Sequence, residues 1–395
     1  MTVTDADPLG RAWGWVAHLR GGGTTPWSAW SGAAEPSARV LPGAQQLELL
    51  RWINLAAGSG PVHRAADHRA ADHRTLADRV LAAAAAGRGQ ADLPLVGVGV
   101  GVGVGDPAYG PRPVDPARLA AHELTRVASV LLAEDLIALG PDPLARRLAR
   151  PWRRRIRLVG DPLIVAPLRD ELLARGRPQG GPRPFVVVVA GPLDELLAHT
   201  WAQRCFEHGS KPWDQWLRFW RERDQLPARV DLADSVRRWG GRGPLVRIVT
   251  DHDRLPRQVG VRHLPDVTVP GADQAELARR VAAVVGLLVT ADRRPDLMRT
   301  LRSRMPGTDV PPAAVPVAEL AWVGAAARRV TRELSRARYP VVGDLADLAP
   351  RTDRPAAVGA PGALDQQVLD LAVAMLVDPG WRGHGEDTTE GRAER

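Results

Sequence analysis

The chain is almost without lysine: of its 53 basic residues only Lys211 is one, and the other 52 are arginines. It has a single cysteine, Cys205, in 395 residues. That scarcity excludes an internal disulfide framework and a zinc site built on cysteines. No stretch approaches the roughly 20 uninterrupted apolar residues that a membrane helix needs. Residues 1–19 are acidic early and lack a positive segment followed by an apolar run, so a signal peptide is not expected. The compartment expected by default is the cytoplasm, with no membrane partner. Phenylalanine (3) and tyrosine (2) are rare, whereas tryptophan is abundant (13). Trp is a large core residue with one donor, and it serves packing as readily as ligand stacking.

What is present is globular. Hydrophobic residues make up 45% and charged residues 25%, values at which most of a chain buries a core. The length suits two ordinary domains or one large one. The net charge of +8 invites a nucleic-acid reading. The near-exclusive use of arginine beside much Ala, Gly and Pro argues against it, because that skew looks like the imprint of a GC-rich genome. Many of these arginines are expected to be solvated or paired with the 45 acids.

Periodicity and breakers predict helices over 7–20, 41–57, 75–86 and 117–139, then over 163–175, 193–208, 232–239, 275–285, 317–338 and 364–377. Trp213, Trp216 and Trp220 fall at i, i+3 and i+7, which puts them on one helical face. Strands are expected at 156–159, 185–189 and 245–250, with another at 287–290. The all-apolar run 185–189 is what a strand buried on both sheet faces requires. Strands alternating with helices predict an α/β fold with a parallel sheet covered by helices. The expected organisation is a mostly helical region over 1–145 with a low-complexity insert near 97–105. An α/β domain follows over 151–350, then a C-terminal helix region over 351–379 and a disordered tail over 380–395.

Several constellations could carry chemistry, and each has a plainer reading. Gly97–Gly105 alternates with valine, so no register supplies the glycines of a dinucleotide fingerprint, and a low-complexity segment fits better. Gly21-Gly-Gly-Thr-Thr25 lacks the lysine of a Walker loop and follows a helix rather than a strand, so it reads as a helix end and turn. His63, His68 and His73 are five apart and fan around a helix axis, unlike metal ligands at i, i+4; no metal is expected. Cys205 has His208 at i+3 but no base at a fixed catalytic spacing. Asp251-His252-Asp253 follows a strand, where open α/β sheets gather their sites. His252 between two carboxylates could be a base or a metal ligand, though polar residues also make ordinary turns. Residues 146–157 hold seven arginines, among them Arg153, Arg154 and Arg155, which could grip phosphate or form a solvated face.

The stretch 156–348 resembles the sulfotransferase-like proteins of high-GC bacteria. The words that carry the resemblance are FVVVVAGPLDELLAHTW (185–201), KPWDQWL (211–217), DLADSVRRWG (231–240), LVRIVTD (245–251) and AELAWVGAAARRVTRELSRARYPVVGDLADL (318–348). LPGAQQLELLRWIN (41–54) is also similar to a family segment, but one that would fall late in the chain. The resemblance implies a P-loop-like α/β fold and transfer of a sulfuryl group from 3′-phosphoadenosine-5′-phosphosulfate. It also implies a Lys-Ser-Gly-Thr-Thr type loop after one strand and an Arg and a Ser after a later one. At the first place this chain has Gly160 and Asp161, without the Lys or the Gly-Thr pair, and a negative charge where an anion should sit. At the second place it has Gly191 and His199, neither of which offers a guanidinium.

The expectation is therefore a fold of this kind without its donor site, with no cofactor, binding an unidentified protein or small molecule. The alternatives are an active sulfotransferase with a displaced anion site at Gly21–Thr25 or in the 146–157 cluster, and a basic nucleic-acid-binding module.

Overall fold

A computed structural model describes residues 7–35, 40–58, 66–83, 92–98, 111–143, 155–177, 180, 184–240, 246–351 and 362–382. The chain divides into two compact units. One is Met1–Gly140 with Arg280–Pro306 and Ala360–Arg395; the other is Pro141–Arg279 with Gly307–Gly359. The sequence suggested boundaries near 150 and 350; the contacts instead also group Arg280–Pro306 with the helical unit, together with Ala360–Arg395.

The helical unit begins with α1 (Pro8–Arg20), whose start is fixed by Asp7. Its carboxylate accepts from the amides of Leu9 and Gly10, and Pro8 sits where its missing N–H costs nothing. Trp15 and Leu19 are fully buried, and the Trp15 indole donates to the Thr25 carbonyl. Then come α2 (Ala44–Gly58), α3 (Ala66–Ala82) and α4 (Ala121–Leu139). The second unit opens with β1 (Ile156–Gly160), α5 (Pro162–Ala174), β2 (Phe185–Val189) and α6 (Leu193–Cys205). It continues with α7 (Trp213–Arg221), α8 (Leu232–Gly240), β3 (Val246–Val249), α9 (Leu255–Val259) and α10 (Ala272–Leu288). The boundary between units falls within α10. After α11 (Arg294–Arg304) in the first unit, the second regains α12 (Val317–Ala337) and β4 (Val341–Val342). The helical unit ends with α13 (Ala363–Val377), packed on α4 and α2, and α14 (Pro379–Arg382). There the buried Trp381 donates to Asp135, which also pairs with Arg79.

The α/β expectation holds: the described residues contain one four-stranded sheet, ordered β1-β2-β3-β4, with every neighbouring pair parallel. Ile156 pairs with Phe185 and Gly160 with Val189, while Val189 pairs with Val249. Strand alternation then puts Ile156, Leu158, Phe185, Val187, Val189 and Val249 on one face. These form a core with Ile164, Val165, Leu168 and Leu172 of α5 and Leu255 and Val259 of α9. Arg157 belongs to the opposite face by the same alternation, and its guanidinium lies 3.9 Å from the ring centroid of Trp239 on α8. α8 packs against β1, β2 and β3, so helices cover both faces, as a fully buried strand such as β2 requires.

Three expectations need correction. Residues 287–290 are not a strand: Leu287 and Leu288 end α10 and are exposed, because a short apolar run at a helix end has no period to tell it from a strand. The fourth strand is Val341–Val342, too short for a pattern to show. Residues 380–382, expected in a disordered tail, belong to α14, where Trp381 is buried, and the rest of that segment lies outside the described residues. The tryptophan face on α7 is structural. Trp213, Trp216 and Trp220 follow one another at 5.6 and 6.2 Å, and the Trp213 indole donates to the Ala314 carbonyl.

Candidate functional site

The positions that the sequence singled out after β1, β2 and β3 converge. β1 ends at Gly160, whose φ of +104° lies in the region open to glycine, and any side chain there would collide with the Val189 carbonyl on β2. The next amide, Asp161, donates to that same carbonyl at 2.9 Å. Asp161 is buried and caps α5: its Oδ1 accepts from the Leu163 amide at 2.9 Å. Its Oδ2 lies 2.8 Å from Nδ1 of His199, which α6 carries, and the two side chains are 5% and 11% exposed. An ionised carboxylate only accepts, so Nδ1 carries the proton and Nε2 of a neutral ring is left as an acceptor. Nε2 of His199 has no hydrogen-bond partner among the described residues.

After β2 the chain runs through Ala190 and Gly191 into α6. After β3, Asp251 caps a short turn by accepting from the Asp253 amide at 3.1 Å and pairs with Arg254 at 3.0 Å. His252 reaches back, and its Nε2 donates to the Ala190 carbonyl at 2.8 Å. Asp161, Gly191, His199 and His252 thus line one crevice of about 290 Å³ at the carboxyl ends of the parallel strands. This is where open α/β sheets place ligands. Ile164, Pro192, Leu196, Leu264, Val267 and Val269 supply an apolar wall. Glu195 also lines it and is bridged by Arg351 at 3.0 Å. Among the described residues the lining contains no arginine and no lysine. Beside it, burial pushes the Asp194 carboxyl above its usual range, with a smaller raising effect from the neighbouring Glu195.

The remaining candidates lie elsewhere. Asp251 and Asp253 do not line the crevice, and Asp253 is exposed. Arg155 is exposed before β1, while Arg153 and Arg154 lie outside the described residues, as do most of the 97–105 run and His63. At Gly21–Gly23 the amides donate to the carbonyls of Ala17, Leu19 and His18, so these three are not free to cradle a phosphate. His73 bonds the Asn54 side chain at 2.8 Å, and burial lowers its pKa. Cys205 is fully buried, and desolvation drives its thiol well above the ordinary value, which removes it as a nucleophile. Among the described residues no group of three or more His, Cys, Asp or Glu could hold a metal ion, and no helix is long and apolar enough to cross a membrane.

The sequence reading missed the wall at 264–269 and the inward place of Glu195 and Leu196. The wall sits on an irregular segment with no period, and only the apolar spacing of Leu264, Val267 and Val269 hinted at it. No family model, curated protein or solved structure matches this chain.

Proposed function

We propose that the α/β unit is a binding module on a sulfotransferase-like fold that lacks the donor site, and that its ligand occupies the crevice at the ends of β1, β2 and β3. The observation that carries this reading is the charge of the lining. A doubly phosphorylated nucleotide needs fixed cations, and here its place is held by Asp161, Glu195, His199 and His252 among aliphatic side chains. Asp161 is committed to Leu163 and His199, so the couple supports a ligand rather than being free to leave the site. The chemistry suits a small apolar molecule, or an apolar side chain of a partner protein, with one hydroxyl or amine donating to Nε2 of His199.

The test is a screen of small aryl alcohols and amines against the full chain by ligand-observed NMR, repeated on Val267→Trp, which fills the crevice from a partly buried position. Binding that the substitution removes is expected. A crystal soaked with 3′-phosphoadenosine-5′-phosphate and showing it ordered between Gly160 and Gly191 would make the chain a transferase instead. The nucleic-acid alternative predicts affinity for DNA or RNA that falls steeply with salt.

A further inference from the structure

A second cavity, of about 200 Å³, opens beside the edge strand β1, and its lining shares no residue with the crevice. Gly160, Pro162 and Val165 form part of its wall, and its polar groups are Arg169, Glu207, Arg229, Ser235 and Arg238, with Trp239 beside them. Three guanidiniums face one carboxylate. Glu207 is held by both terminal nitrogens of Arg229, at 3.2 and 2.9 Å, and Arg238 pairs with Asp234 one turn back on α8 at 2.7 Å. Arg169 makes no hydrogen bond or ion pair among the described residues. Trp239 is 38% exposed. The guanidinium of Arg157 that stacks on it also has no carboxylate among the described residues, and its Nε is buried without a partner.

Several arginines elsewhere in this unit have acids within reach, as in Arg175–Glu171, Arg221–Glu319 and Arg279–Glu276, whereas others, such as Arg223 and Arg332, donate to backbone carbonyls. Around Trp239 the cations outnumber the acids, in a concave site beside an exposed indole. A planar fork of donors matches the oxygens of a phosphate two at a time, and an indole face takes a flat ring. We propose that this cavity binds a small phosphomonoester carrying a planar ring, the phosphate received by Arg169 with Arg229 and Arg238, and the ring lying on Trp239. This site is independent of what the crevice binds.

Calorimetric titration of the full chain with phenyl phosphate, inorganic phosphate and benzoate tests it. Phenyl phosphate should bind at least about tenfold more tightly than benzoate, and Arg169→Ala should weaken it by about tenfold or more, the scale of one charged hydrogen-bonding group. Trp239→Ala should weaken phenyl phosphate but leave inorganic phosphate nearly unchanged, and Val267→Trp should leave all three unchanged. Arg169 is exposed, so its variant is expected to fold, which circular dichroism checks. The absence of phenyl phosphate binding at millimolar concentration, equal binding of benzoate, or an affinity indifferent to Arg169→Ala would each overturn the proposal.

Discussion

The crevice and the arginine-lined cavity meet at one turn of the chain and have opposite chemistry. Asp161 lines the first, while Gly160 and Pro162, on either side of it, line the second. Successive residues at a strand end point to opposite sides, so a single strand-to-helix turn divides its side chains between two sites. One site combines carboxylates and imidazoles with an aliphatic wall. The other combines guanidiniums with an indole. What decides the charge of each is therefore which helix faces it: α6 brings Glu195 and His199 to one side, and α5 and α8 bring Arg169 and Arg238 to the other.

The largest effect that would break this comparison comes from the turn itself. Gly160→Val forces a branched side chain into a left-handed conformation against the Val189 carbonyl. It should cost more than about 3 kcal/mol and abolish both sites together, seen as a large fall in Tm. A variant of wild-type stability would mean that the turn is not built as described. Asp161→Ala comes next. It removes the cap of α5 and leaves His199 without its partner, a loss of roughly 2–4 kcal/mol from the two terms combined. Chemical denaturation measures it, and phosphate binding in the other cavity should survive in the fraction that remains folded.

The smallest effect sharpens the electrostatic contrast. Burial raises the Asp194 carboxyl, so the folded state favours its protonated form. The stability it contributes is present at low pH and is lost as pH rises from the ordinary carboxyl range through the raised folded value. Asp194→Asn should therefore give a small rise in Tm at neutral pH and no rise at the acid end. A uniform loss at every pH would show that the bond from the Arg351 amide outweighs the desolvation.

Much of this arrangement was legible in the residues. The runs IRLV, FVVVV and VRIV are short and dense in branched apolar side chains, and they became β1, β2 and β3. The polar residues just after them were the ones to inspect: Asp161, Gly191, His199 and His252 do share one crevice. Asp251 and Asp253, equally prominent, are spent on a turn and an exposed position, because a carboxylate two residues before an amide is also the ordinary device for closing a loop. The second cavity was not legible. An arginine on a helix reads the same whether it faces water or a ligand, and Arg169, Arg229 and Arg238 are brought together only by the folding of α8 over β1. Of the arginines in the cluster that the sequence did emphasise, 146–157, only Arg155 and Arg157 are among the described residues: Arg155 is exposed, and Arg157 stacks on Trp239 beside the second cavity.

The central claim is that the crevice between β1 and β2 does not receive phosphate and the cavity beside β1 does. Calorimetric titration of phenyl phosphate into the wild type, Val267→Trp and Arg169→Ala tests it most directly. Affinity retained in Val267→Trp and reduced about tenfold or more in Arg169→Ala is the predicted result; affinity lost in Val267→Trp and retained in Arg169→Ala would contradict it.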